Sequence, residues 1–101
     1  MSVHQLKTSE RWFARVITGD KTAEIRKHDR DYQAGDVLDL LEIWDAEGRQ
    51  FDPEAGYDKW HTKGSMTGRC ATFHITHVLP SDQFPEGLQP GYCLLSGWVE
   101  E

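Results

Sequence analysis

Hydrophobic and polar positions follow different rhythms along this chain, and each rhythm predicts an element. Residues 3–7, VHQLK, read as a short strand. It leads to Thr8, placed to cap a helix, and to Glu10 in the first turn, where a negative charge suits the helix dipole. Over residues 9–18, Trp12, Phe13, Val16 and Ile17 recur one and four positions apart, which makes one helical face with Glu10, Arg11 and Arg15 outside it. Gly19 follows where a left-handed C-cap is expected. The period then drops to two over residues 21–27. Ala23 and Ile25 fall on one side, expected to be buried, and Thr22, Glu24 and Arg26 on the other. After a turn at 32–36, Val37, Leu38, Leu40, Leu41, Ile43 and Trp44 form a nearly continuous apolar strand. RCATFHITHVL at 69–79 and residues 92–99, after the Pro90–Gly91 turn signal, predict two more strands.

One helix followed by four or more strands, with no second helix for a βαβ unit, predicts an α+β fold. The natural packing is a curled, mostly antiparallel sheet or partly open barrel with the helix against it. Residues 45–68, DAEGRQFDPEAGYDKWHTKGSMTG, interrupt the pattern with four Gly, one Pro and many charges and predict a long loop. The 101 residues suit a single domain whose modest core is built around Trp12, Phe13, Trp44 and Phe73. No apolar run has membrane-spanning length, and MSVHQLKTSE lacks a signal-peptide core, so a soluble, cytoplasmic protein is expected. Cys70 and Cys93 are expected as reduced core residues.

Charge sharpens this picture. The net charge is −6, but residues 1–32 hold seven Lys or Arg against five acids, while residues 33–101 hold four against twelve. Contact with phosphate therefore falls to the first third of the chain. There Thr22, Glu24 and Arg26 share one strand face, on which a carboxylate beside a guanidinium offers acceptor and donors to a polar ligand edge. Lys21 adds a cation, or a base or nucleophile if desolvated, although Glu24 beside it favours the charged ammonium. The alternative for this face is an ordinary exposed Glu–Arg pair. Asp29, Arg30 and Asp31 brace the following corner, with Arg30 also a candidate phosphate contact. Phe51, Tyr57 and Trp60 either stack on a base or cover the open barrel edge. His74 and His77, three apart on one strand, should face opposite sides, and no zinc-type spacing occurs, so neither metal nor cofactor is expected.

The stretch GDKTAEIRKHDRDYQAGDVL resembles the signature of the ASCH superfamily through Gly19, Lys21, Glu24, Arg26, Gly35 and Asp36. HQLKT and GLQPGYCLLS resemble a short bacterial and phage branch of it. The resemblance implies a PUA-like β-barrel that binds RNA in a cleft beside the Glu-x-Arg strand. Some small single-domain members deacylate N4-acetylcytidine, and others have been linked to RNA cleavage. Lys21 matches the catalytic Lys of the amidohydrolases, Glu24 stands where they carry Thr, and the strand at 69–79 offers no acid for their third residue.

The expectation is therefore an RNA- or nucleoside-binding domain spanning 1–101, with an insertion at about 45–68. Its ligand contacts would come from Lys21, Thr22, Glu24, Arg26, Arg30, Tyr57 and Trp60, and loss of Arg26 would weaken binding without unfolding the domain. An amidohydrolase using Lys21 and Glu24 is the alternative. A phage or bacterial accessory protein that binds a host protein through its acidic remainder is the third reading.

Overall fold

A computed structural model describes residues 1–54 and 56–100. Its elements run β1 (Val3–Ser9), α1 (Glu10–Ile17), β2 (Ala23–Lys27), β3 (Val37–Ile43), β4 (Gly48–Asp52), β5 (Tyr57–His61), β6 (Met66–Pro80), a 3-10 turn (Ser81–Gln83) and β7 (Tyr92–Val99). Five strands form one curled, half-barrel sheet in the order β1-β3-β6-β7-β2. β1 runs parallel to β3 and every other pair in that sheet is antiparallel. β4 and β5 make a separate two-stranded sheet. The fold is thus α+β with a single α-helix among the described residues.

The helix forms where the 3.6-residue period placed it. Phe13 and Val16, three apart, point into the core beside Leu38, Leu40, Phe73, Ile75 and Leu95. Trp12 and Ile17 lie round the helix from that stripe and stay 44% and 37% exposed, so Trp12 is not a core residue. Ser9, with extended backbone, is the N-cap and makes no side-chain capping bond. Thr8 does not cap the helix, because its hydroxyl is taken by Arg26. Gly19 has φ 82° and its N–H bonds the carbonyl of Val16, which ends the helix in the left-handed conformation glycine allows.

β2 is a strand, as the alternation predicted, but its two faces are exchanged. Glu24 is buried and Ile25 is 63% exposed. β2 is an edge strand, paired only with β7. Its polar face can turn inward because Glu24 and Arg26 find charged and hydroxyl partners there.

The segment at 45–68 is not a loop. It holds the β4–β5 ribbon and the start of β6, and two backbone bonds close its root: Trp44 N–H to Ser65 O (3.0 Å) and Gly64 N–H to Trp44 O (2.8 Å). His61 stacks on Trp44 with centroids 3.9 Å apart. Cys93 is buried, which pushes its thiol pKa up, whereas Cys70 is exposed and not the core residue expected. His74 is half-buried and stacks on Trp98, and His77 is exposed.

Candidate functional site

The half-barrel has two edges, β1 and β2, and no backbone ladder joins them. Side chains do so instead. Arg26 on β2 donates from Nη1 to the Lys7 carbonyl (3.0 Å) and from Nη2 to Thr8 Oγ1 (2.8 Å), both on β1. Arg30 donates from Nη1 to the Gln5 carbonyl (2.9 Å). Gln5 and Lys7 are two apart, so their carbonyls point off the same free edge of β1. Two guanidinium groups thus occupy acceptors that an edge strand would leave to solvent or to another chain.

Glu24 sits behind this seam with a nearly inaccessible side chain. Its Oε1 accepts from Lys21 Nζ at 2.5 Å, and its Oε2 accepts from Arg26 Nε at 3.1 Å and lies 3.0 Å from Arg26 Nη2. A buried carboxylate with two cationic donors carries little desolvation penalty relative to an unpaired one. Lys21 Nζ also donates to the Ala23 carbonyl at 2.6 Å. Lys21 follows the helix because its N–H bonds the Arg15 carbonyl, which fixes where its side chain starts.

These groups line a cleft of about 480 Å³ between β1, the start of α1 and β2. Trp12 supplies an aromatic wall, with the Arg11 guanidinium 5.0 Å from its ring. Ser9 lines the same cleft, and its hydroxyl is buried without a partner among the described residues. An orphaned buried hydroxyl beside a cavity is a ready contact for a polar ligand atom. The cleft therefore combines one ring face, one unpaired hydroxyl and a charged network with an excess of one positive charge.

Of the site residues expected from sequence, the structure brings Lys21, Glu24 and Arg26 together in the cleft wall. Thr22 is exposed next to it and does not line it; its carbonyl accepts from Gly97 N–H. Arg30 clasps β1 rather than facing the cleft. Tyr57 and Trp60 lie on β5, outside the cleft lining. The pattern reading missed Thr8, Ser9 and Trp12 as cleft residues. From the pattern alone the strand-to-helix junction at 8–12 reads as a cap and a core face, and only the fold brings it against β2.

Two further carboxylates, Asp36 and Glu42, are buried outside the cleft lining. Asp36 accepts from Ser2 N–H (2.9 Å), Gln33 N–H (3.0 Å) and His4 Nε2 (3.0 Å). The His4 hydrogen bond, followed by the Ser2 bond, holds its pKa below the usual carboxylate range. The Gly35–Asp36 pair thus clamps the N-terminus to the head of β3, with Gly35 at φ 93° making the turn. Glu42, facing Thr8 across the β1–β3 pair, accepts from Thr67 Oγ1 at 2.6 Å and does not line the cleft. Its place in the apolar run LLEIW was the available signal. Among the described residues, no helix is long and apolar enough to cross a membrane.

The sequence profile of the family described as "Domain of unknown function (DUF3850)" matches residues 3–96, from β1 into β7. The "Uncharacterized 12.9 kDa protein in GpA 3'region" of Escherichia phage P2 is 45% identical to this chain over 76 residues, which are 75% of this chain and 53% of that protein. The chain thus spans about half the length of that curated relative.

Proposed function

We propose, for a chain that belongs to the family described as Domain of unknown function (DUF3850), that the seam cleft binds RNA through a single nucleotide, or binds a free nucleoside. The observation that carries this reading is the pairing of the Trp12 ring with the unpartnered Ser9 hydroxyl in one cleft, beside the Lys21–Glu24–Arg26 network. A base stacks on an aromatic face, and its edge needs fixed donors and acceptors. The resemblance to ASCH proteins, with their PUA-like barrels, points the same way. Arg26 is occupied on Nε, Nη1 and Nη2, so its part is to hold the seam and Glu24 in place. Direct contact falls to Trp12, Ser9 and the exposed side of Lys21.

Amide hydrolysis finds less support. Lys21 Nζ is already engaged by Glu24 and the Ala23 carbonyl, and the strand at 69–79 offers no acid for a third catalytic residue. Titration calorimetry with cytidine, N4-acetylcytidine and a short single-stranded RNA tests the proposal. Saturable binding that weakens in Lys21→Ala, with N4-acetylcytidine recovered intact, is the expected result. Rapid release of cytidine that vanishes in Lys21→Ala would overturn the binder reading in favour of the enzyme, and no binding by any of the three would end both.

A further inference from the structure

The β4–β5 ribbon has no role in the cleft, yet its surface is unusual. Phe51, Tyr57 and Trp60 are each about 60% exposed, and β4 and β5 pack chiefly on each other. Arg49 lies opposite Trp60 and Phe51 opposite Asp58, so these four share one ribbon face. Both outer edges of the ribbon lack a strand neighbour among the described residues. Residues 45–61 carry five acids against two Lys or Arg, which makes a polyanion an unfavourable partner.

We propose that the occupant of this ribbon is a second copy of the chain, joined antiparallel along β4 about a two-fold axis through Gln50. A two-fold axis normal to the sheet keeps like faces together, so it must pass through a residue rather than between two. Through Gln50, Arg49 of one copy faces Phe51 of the other, and the reverse. The shared face then reads Trp60, Arg49, Phe51 and Asp58, the last two from the second copy, with a guanidinium between two rings. An axis through Gln50 pairs all five residues of β4. One through Arg49 sets that cation against itself, and one through Phe51 pairs ring with ring but leaves Arg49 facing Pro53, outside the strand. On β5, the register that pairs all five residues, through Lys59, opposes two cations; an axis through Asp58 opposes two carboxylates, and one through Trp60 pairs the rings but leaves Asp58 facing Thr62, outside the strand. The β4 edge is therefore self-complementary in charge and ring placement where the β5 edge is not. Dimerisation would turn two exposed edges inward, which is how sheets avoid open-ended pairing. This inference stands apart from the cleft.

An edge of five residues buries less than a standard interface of about 1,200–2,000 Å², so the dimer is a transient one. Sedimentation velocity from about 5 μM to about 1 mM should show the mass rising from 11.6 kDa toward twice that value. All substitutions fall on exposed positions, and a thermal melt checks that each variant folds. Phe51→Lys places a cation against Arg49 of the second copy at two symmetric sites and should weaken association about tenfold. The exchange Arg49→Glu with Phe51→Lys should restore it. A monomer at every concentration overturns the proposal. So does association indifferent to Phe51→Lys, no recovery in the Arg49→Glu with Phe51→Lys exchange, or a mass increase that requires added single-stranded RNA.

Discussion

Arg26 shows how one side chain can hold a fold and shape a site together. Its fork bonds the Lys7 carbonyl, the Thr8 hydroxyl and the Glu24 carboxylate, so it joins strands that share no ladder. Sequence pattern alone made it a ligand contact whose loss leaves the fold intact. The geometry gives the opposite expectation. Arg26→Ala leaves Glu24 buried with only Lys21 as partner and should cost roughly 3–5 kcal/mol in urea unfolding, the range for breaking a buried pair. Arg26→Lys should recover only part of that, because an ammonium cannot span three acceptors. An unchanged midpoint in Arg26→Ala would show that the seam does not depend on it.

Asp36 gives a second residue-scale test, through pH. Its folded-state pKa is lowered, chiefly by the His4 hydrogen bond, so the unfolded chain binds the proton more tightly. The contribution is complete above the ordinary carboxylate pKa and disappears as pH falls through the lowered folded value. Asp36→Asn should therefore destabilise the protein at pH 7 by about 1–3 kcal/mol, the cost of weakening a buried acceptor. The gap to the parent should close as the medium is acidified below the carboxylate range. A gap that stays constant down to strong acid would remove Asp36 from the clamp.

Among the elements, legibility followed the contrast between buried and exposed faces. α1 and β3 carry apolar stripes that water would penalise anywhere else, and both were readable. β7 was read with its observed bounds, because a turn signal precedes it. From Arg49 to Phe51 and from Tyr57 to Trp60 the ribbon side chains are exposed, so no period marks these strands, and the segment reads as a loop. β2 was readable as a strand but not in orientation. Which face turns inward depends on Arg26 meeting β1, a contact between residues 18 and 19 positions apart. The same reasoning separates two substitutions. Ile25→Ser, at an exposed position, should change stability by less than about 0.5 kcal/mol. Gly97→Ala places a Cβ 1.9 Å from the His74 carbonyl oxygen, where β6 bulges against β7, and should cost ~1–3 kcal/mol or more. Comparable denaturation midpoints for the two would contradict the assigned facing of β2 and the close approach at Gly97.

At the scale of the whole molecule, the extents of 51 × 26 × 23 Å reflect a body and an arm. The body holds the core and the cleft; the arm is the ribbon. Replacing residues 49–60 by an Asn-Gly turn keeps Gly48 opposite His61, the Trp44–His61 stack and the two root hydrogen bonds. The shortened chain should melt within about 5 °C of the parent, a change equivalent to roughly 1 kcal/mol for a domain this size. It should still bind a nucleoside. Collapse of the melting transition would make the ribbon part of the core unit.

The central claim concerns where a ligand sits, and amide and indole chemical shifts report that directly. A nitrogen-15 labelled sample titrated with cytidine and with a short single-stranded RNA should show saturable shifts at Thr8, Ser9, Glu24 and Arg26 and at the Trp12 indole. The amides of β4 and β5 should stay in place at the dilute concentrations used. Shifts confined to the ribbon, or none at all at millimolar ligand, would contradict the account and move the site away from the seam.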